Sequence, residues 1–150
     1  MATTSPENLI LVTRDSGGIA GVTINRPKSL NSLTRSMMRE MAQAFKALAA
    51  DDSVRVIILS GSGRAFCSGV DLTAAEDVFK GDVKDVEGDP VAQMERCGKP
   101  IVGAIAGFAV TAGFEIALAC DIIVAAKGTK FIDTHARSKD LLIVMSDYWR

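Results

Sequence analysis

Weak alternation of apolar and polar residues at the start of the chain predicts a β-hairpin. Leu9 to Thr13 is apolar enough for a strand, and Ile19 to Asn25 is a second such run. The cluster Asp-Ser-Gly-Gly between them contains the residues that favour tight turns. Arg26-Pro27 then ends the second strand, because proline cannot donate to a ladder and holds the residue before it extended.

A helical spacing of apolar residues follows the hairpin. Apolar side chains recur every three or four positions and predict an amphipathic helix from about Thr34 to Ala50, with Thr34 as its cap. The face consists of Leu33, Met37, Met41, Ala44, Phe45 and Leu48. Val54 to Ser60 is a β-branched run that predicts the next strand. A helix between two strands implies a crossover connection, so we predict an α/β or mixed sheet.

An almost wholly apolar stretch later in the chain contains a single carboxylate, Glu115. In this stretch a β-branched run that Pro100 opens and Gly107 ends predicts a buried strand, Ala109 to Gly113 a turn of small residues, and Phe114 to Ala119 a helix. A turn of this kind leaves backbone N–H groups open to a ligand oxygen. Cys120 to Ala126 predicts another buried strand.

Two interpretations of Glu115 are open on this pattern. A glutamate just inside a ligand-binding helix would be shielded from water, and burial raises a carboxyl pKa into the range that suits proton transfer near neutral pH. The pattern then predicts an oxyanion site with an acid/base beside it. Alternatively, the helix is simply buried and its glutamate reaches the surface.

Two loops earlier in the chain offer further candidate chemistry. The sequence from Gly61 onward follows a strand with Gly-x-Gly, but Phe66 stands where a dinucleotide-binding loop needs its third glycine. The alternative is a second backbone turn, centred on Gly69-Val70, that presents another N–H to a ligand. Arg26 and Lys28 form a basic corner that either holds a phosphate or is solvated surface.

Composition narrows the function classes. The 150 residues are enough for one domain with a core, and the net charge of −1, with both signs interspersed, gives no footprint for nucleic acid or an anionic membrane. No apolar run reaches the length of a membrane span, and the N-terminus lacks the features of a signal peptide. The three cysteines are widely spaced, so we expect free thiols in an intracellular protein and no metal site.

Four stretches, taken together and in this order, resemble the crotonase (enoyl-CoA hydratase/isomerase) superfamily. The similarity spans about residues 9–137 and is greatest to plant-type peroxisomal enoyl-CoA hydratases. The stretches are Ile24-Asn-Arg-Pro27 with Asn31-Ser-Leu33, Arg64-Ala-Phe-Cys-Ser-Gly-Val-Asp-Leu72, Lys99-Pro-Ile-Val-Gly-Ala-Ile-Ala-Gly107, and Gly113-Phe-Glu-Ile-Ala-Leu-Ala-Cys-Asp121.

The resemblance implies a ββα spiral fold of the mixed α/β class and an acyl-CoA thioester as substrate, with no separate cofactor. It implies hydration of 2-trans-enoyl-CoA in fatty-acid β-oxidation. The thioester oxygen would accept hydrogen bonds from the backbone N–H groups of Val70 and Ala112, with Glu115 as the acid/base. The residues that the resemblance places near substrate or CoA are Arg26, Lys28, Leu30, Ser68, Gly69, Asp71, Leu72 and Gly113.

The chain departs from the family pattern at three positions near this site. His135 stands where hydratases carry a second catalytic glutamate, and the carboxylate of Asp133 lies two residues earlier. A histidine can move a proton at neutral pH, so His135 is the second catalytic candidate. Thr111-Ala112 replaces two glycines, and the alanine keeps its N–H. The loss of the second glutamate leaves enoyl-CoA isomerisation, or other enolate chemistry, as an alternative reaction.

The family-like sequence ends near Arg137. We therefore expect a family core at residues 1–137, incomplete at its C-terminus, and an atypical tail at residues 138–150 of unknown role. The resemblance implies that full-length members of the family form homo-oligomers, either trimers or hexamers. For a truncated form the alternative is an inactive protein or one with an altered assembly. The resemblance implies a peroxisomal location. The chain, however, ends in Asp-Tyr-Trp-Arg and not in Ser-Lys-Leu, the peroxisomal address of some relatives. Without such an address, the expected location is the cytosol.

Overall fold

A computed structural model of the protein describes residues 8–73 and 85–134. The strands are β1 (Ile10–Arg14), β2 (Ile19–Ile24), β3 (Val56–Gly61), β4 (Ile101–Ile105), β5 (Phe108–Val110), β6 (Ile122–Ala125) and β7 (Lys130–Ile132). The helices are α1 (Arg35–Ala50), α2 (Pro90–Glu95) and α3 (Ala112–Leu118), with a 3₁₀ turn at Pro27–Ser29. Strands and helices alternate along most of this chain, as the sequence predicts.

The main sheet has five strands in the order β1-β2-β3-β4-β6. Strands β1 and β2 pair antiparallel as the predicted hairpin, and the remaining neighbours are parallel. Strands β5 and β7 form a separate parallel pair. The predicted mixed α/β class is therefore confirmed, with the parallel strands joined by crossover connections.

Helix α1 forms where the apolar spacing predicts it and makes the first crossover, between the parallel strands β2 and β3. Its Thr34 cap is confirmed, because the hydroxyl accepts a hydrogen bond from the Met37 N–H at 3.3 Å. The buried residues of the helix are Met37, Met41, Ala42, Phe45 and Leu48. This face joins Val22, Ile57 and Leu59 of the sheet in one hydrophobic core.

The predicted turn from Ala109 to Gly113 is wrong in its boundaries. Ala109 lies in strand β5, opposite Phe131 of β7, and helix α3 begins at Ala112, two residues earlier than predicted. A strand of only three residues, Phe108–Val110, gave no local signal, because it depends on a pairing partner about twenty residues away.

Strand β6 forms close to the predicted segment, but the prediction that it is buried is wrong. Its Ile122 and Val124 side chains are 56% and 60% exposed. The strand is the last of the five in the sheet, and within residues 8–73 and 85–134 no element covers this side of it. An apolar run alone does not reveal which strand lies at an edge.

Two predictions fall outside the described residues. They are the placement of His135 and the tail at residues 138–150. None of the helices at residues 8–73 and 85–134 combines the length and hydropathy that a membrane crossing requires.

Candidate active site

The two predicted turns lie against each other. Cys67, in the loop after β3, forms a parallel bridge with Ala109 of β5. The Val110 N–H donates to the Cys67 carbonyl at 3.0 Å, and the Cys67 N–H donates to the Phe108 carbonyl at 3.2 Å. These bonds place the Gly69-Val70 turn directly beside the start of α3, although about forty residues separate them in the chain.

Glycine permits this close approach at two positions. Gly69 has a φ of +95°, and a Cβ built on it would lie 3.1 Å from the Val110 carbonyl oxygen. A Cβ on Gly113 would lie 2.7 Å from the Cys67 carbonyl oxygen, closer than real side chains come. Gly69 and Gly113 therefore allow the two turns to pack backbone against backbone.

Each turn presents a backbone donor without a partner in the described part of the chain. The Leu33 N–H donates to the Gly69 carbonyl at 2.8 Å and the Asp71 N–H to the Leu33 carbonyl at 2.9 Å, which leaves the N–H of Val70 between them without a bond. Ala112 is the first residue of α3, so its N–H has no acceptor within the helix. Both residues are partly exposed.

Glu115 lies in the first turn of α3, where its N–H donates to the Thr111 carbonyl at 2.9 Å. The helix is held against β7 by Phe114 and Phe131, whose ring centroids are 5.3 Å apart. The prediction that Glu115 is shielded from water is wrong, since its side chain is exposed. No element between residues 8 and 73 or 85 and 134 covers that side of the helix.

Asn31 holds the first turn in place, a role that the sequence analysis did not assign. Its side chain is fully buried and its φ is +57°. The amide nitrogen donates to the carbonyls of Ser62 and Ala65, both at 2.8 Å, while the amide oxygen accepts from the Arg26 N–H at 2.8 Å. Asparagine tolerates a positive φ better than most residues, and this tolerance was the available signal that Asn31 could lie in a turn. Asn31 also belongs to one of the motifs that carry the family resemblance.

Arg26 forms an ion pair that closes the same loop. Its Nη1 lies 2.5 Å from Asp71 Oδ2 and also donates to the Ser32 hydroxyl at 2.9 Å. Asp71 is 8% exposed. Arg26 and Asp71, both predicted near the CoA, therefore bind each other beside the Val70 turn, and this pair fixes the turn whether or not a phosphate lies near it.

The Asp71 carboxylate predicts an acid-sensitive contribution to stability. The Thr73 hydroxyl and then the Arg26 guanidinium lower the pKa of Asp71 from 3.8 to about 2. Because the folded pKa is the lower one, this contribution is present above pH 4 and is lost as the pH falls toward 2.

We expect Asp71→Asn to lower the melting temperature at pH 6, and the difference from the unsubstituted protein to shrink between pH 4 and 2. Asp52→Asn, at an exposed position, is the control in calorimetry, and a constant difference would contradict this role.

The other predicted CoA neighbours differ in exposure. Lys28 is exposed on the 3₁₀ turn, and Leu30, at its C-terminal end, has a φ of +53°. The Leu30 carbonyl accepts from the Ser68 N–H at 3.1 Å, which joins this turn to the loop before Val70. Leu72 is 87% exposed, so its side chain makes little contact within the described chain. Their contact with CoA stays a prediction.

Thr111 adopts a backbone conformation that is unusual for a β-branched residue. Its φ is +47° and its ψ is −108°, in the region where glycine is favoured. Such a residue costs about 1–3 kcal/mol and persists only where its surroundings hold it. The fold therefore holds Thr111 in a conformation that glycine adopts without strain.

Cys67 packs between the turns, and its thiol is free and buried. Burial raises the pKa of its thiol to about 11, and burial also raises the pKa of Cys120 to about 12. At pH 8 the reactive thiolate is then about one molecule in a thousand or fewer.

We expect iodoacetamide to modify Cys97 before Cys67 or Cys120 in the folded protein, as read by peptide mass spectrometry. Equal rates before denaturation would contradict this packing.

The second predicted proton carrier is not placed. His135 lies outside the described residues, and Asp133, partly exposed just after β7, is the last carboxylate before it. Among the residues that the structure describes, no group of three or more His, Cys, Asp or Glu side chains could hold a metal ion. The chemistry of the described site consists of two backbone donors and the Glu115 carboxylate.

Comparison with known proteins gives one consistent result. The family model for enoyl-CoA hydratase/isomerase matches residues 14–138. A protein of Arabidopsis thaliana described as a probable peroxisomal enoyl-CoA hydratase 1 is 71% identical over 137 residues, covering 91% of this chain and 52% of its own length. A probable enoyl-CoA hydratase of Rhizobium meliloti is 37% identical, with coverages of 85% and 49%.

The fold agrees with a solved structure in the same way. An enoyl-CoA hydratase from Mycobacterium avium subsp. paratuberculosis superposes with a TM-score of 0.73 at 33% identity, over 85% of this chain and 51% of that one. The chain thus spans about half the length of the curated relatives that it matches.

Proposed function

Because this chain belongs to the enoyl-CoA hydratase/isomerase family, we propose that it adds water to 2-trans-enoyl-CoA thioesters as an enoyl-CoA hydratase of fatty-acid β-oxidation. One observation carries the proposal. The Val70 and Ala112 N–H groups lie on two abutting turns and lack partners in the described chain, with Glu115 three residues beyond the second. The names of the similar proteins support the same reaction.

The proposed chemistry follows from where charge develops. When the oxygen of water bonds to C3 of the enoyl group, the electrons of the C2–C3 double bond move toward the thioester oxygen. Two backbone donors at that oxygen would stabilise the transition state, each by about 3–4 kcal/mol in comparable sites. Glu115 would accept the proton of the attacking water, and a proton returned to C2 completes the hydration. His135 or Asp133 is the second group proposed for that transfer.

The proposed position of the CoA moiety follows the loop that Asn31 holds. Lys28 is exposed there and is free to approach a phosphate, whereas Arg26 is already paired with Asp71. We expect Lys28 to contribute more to CoA affinity than Arg26, whose substitution would act through the shape of the turn. The substrate brings its own CoA, so the reaction needs no separate cofactor.

We extend the proposal to location and assembly. The Arabidopsis relative is described as peroxisomal, and 71% identity supports the same compartment for this protein. A homo-oligomer is proposed from the family resemblance. The exposed apolar side chains of Ile122 and Val124 on β6 are consistent with burial by further protein.

Product analysis tests the reaction directly. The purified protein is incubated separately with 2-butenoyl-CoA and 3-butenoyl-CoA, and the thioesters are separated by chromatography. We expect 3-hydroxybutyryl-CoA from the 2-enoyl substrate. Interconversion of the two enoyl thioesters without hydration would support the isomerase alternative. No conversion of either by folded protein would contradict both.

A further inference from the structure

We infer that Thr134 is a positioning residue of the active site: it holds the strained Thr111 and thereby aims the Ala112 N–H at the thioester oxygen. The inference rests on the proposed function. It concerns how this chain keeps the second donor in place with threonine where the family pattern has glycine.

Two bonds from the β7 side fix Thr111. Its N–H donates to the Ile132 carbonyl at 2.8 Å, and its hydroxyl lies 2.7 Å from the hydroxyl of Thr134. Ile132 is also the register partner of Val110 in the β5–β7 pair. Strand β7 and the residue two positions after it therefore support the turn on which Ala112 lies.

The conformation of Thr111 decides where the Ala112 N–H points. The Thr111 carbonyl accepts the Glu115 N–H at 2.9 Å, so it is directed into the helix. No cis peptide bond occurs in the described chain, and in a trans peptide the N–H points opposite to the carbonyl. The Ala112 N–H is thus directed away from the helix, and any rotation about Thr111 turns the donor and loosens the Glu115 contact together.

The hydroxyl pair explains how a β-branched residue remains in this conformation. A glycine reaches a φ of +47° without strain, whereas threonine does so only where contacts hold it. The backbone bond to Ile132 is available to any residue other than proline at position 111. The bond to Thr134 requires a side-chain hydroxyl, so it is the part of the support that threonine adds.

Infrared spectroscopy of a bound thioester measures how strongly the backbone N–H groups bond to the thioester oxygen. Butyryl-CoA carrying carbon-13 at the thioester carbonyl has no double bond to hydrate, and isotope-edited difference spectra isolate its carbonyl band. Hydrogen bonds to the oxygen lower the frequency of this band. The variants are Thr134→Val, which removes the hydroxyl at similar shape, Thr134→Ser, which restores it, and Thr111→Val as a second way to break the pair.

The matched control is Thr23→Val. Thr23 forms the same kind of hydroxyl pair with Ser60, at 3.1 Å, within the main sheet and away from the turns. Circular dichroism and the affinity for CoA itself show whether each variant is folded and retains the nucleotide site.

We expect the bound carbonyl band of Thr134→Val and Thr111→Val to move back toward that of free ligand and to broaden. Affinity for CoA should be unchanged, and kcat for hydration should fall roughly three- to tenfold, the range that one hydrogen bond supplies. Thr134→Ser and Thr23→Val should match the unsubstituted protein. A band in Thr134→Val identical to that of the unsubstituted protein would overturn the inference and leave the proposed function intact. If the unsubstituted protein shows no lowering of the band on binding, the proposed donor pair itself fails, and the inference fails with it.

Discussion

Replacing Glu115 by glutamine is expected to lower kcat for the hydration of 2-butenoyl-CoA by about 10²- to 10⁴-fold. Glutamine keeps the size and the polarity of the side chain but cannot accept a proton from water. The backbone N–H of residue 115 still donates to the Thr111 carbonyl, so the turn keeps its shape. The loss of the 2-enoyl absorbance measures the rate, and calorimetry with butyryl-CoA measures binding.

The matched control for this experiment is Glu95→Gln. Glu95 is exposed at the end of α2, outside the two turns, so its substitution should leave both rate and affinity unchanged. Butyryl-CoA should bind Glu115→Gln about as tightly as it binds the unsubstituted protein, because the backbone donors remain. An unchanged hydration rate in Glu115→Gln would rule out its role as the acid/base.

Replacing Asn31 by alanine is expected to reduce the free energy of unfolding by about 3 kcal/mol, with three hydrogen bonds lost at about 1 kcal/mol each. The carbonyls of Ser62 and Ala65 and the Arg26 N–H would all lose their partner. The site is fully buried, so water does not readily replace the amide. The melting temperature should fall by about 10 °C, as read by calorimetry.

Asn25→Ala is the control for that substitution. The Asn25 amide makes one exposed bond, to the Asn8 carbonyl at 3.1 Å, and its loss should change the melting temperature little. Since Asn31 also joins the loop before Val70 to the 3₁₀ turn, its alanine variant should bind butyryl-CoA less tightly. Equal melting temperatures for the two variants would show that the buried amide does not hold the turn.

The parts of the fold that could be predicted are those with a local signal. Helix α1 has an apolar face and a Thr34 cap within one stretch of chain, and the hairpin has a turn cluster between two apolar runs. Strand β5 lacks such a signal, because it forms through Cys67 on one side and β7 on the other. Its existence depends on contacts that no window of the sequence contains.

The candidate site likewise has features with a local sequence signal and features without one. The two donor turns could be predicted, since each follows a strand and is rich in glycine or other small residues. The exposure of Glu115 was one of two open interpretations, because an apolar stretch does not show which of its sides remains uncovered. The sequence also did not predict that Arg26 pairs with Asp71, since the two residues are 45 positions apart. Each charged side chain, taken alone, is typical of a solvated surface residue.

Thr111 is the position at which local rules and structure disagree most. A β-branched residue at positive φ would not be chosen from propensity, yet the fold imposes it at the start of α3. The contacts from Ile132 and Thr134 maintain the conformation from outside the turn. Strain of this kind is typical of functional sites, which fits its place directly before the Ala112 donor, with its carbonyl bonded to the Glu115 N–H.

The measurement that tests the central claim most directly compares the affinities of butyryl-CoA and S-butyl-CoA by calorimetry. The two ligands differ only in the thioester oxygen, which S-butyl-CoA lacks. If the N–H groups of Val70 and Ala112 bind that oxygen, the thioester should bind about tenfold more tightly, or more, since each bond contributes about 1 kcal/mol. Equal affinity of the two ligands, or binding of neither by folded protein, would contradict the account of the two turns as an oxyanion hole.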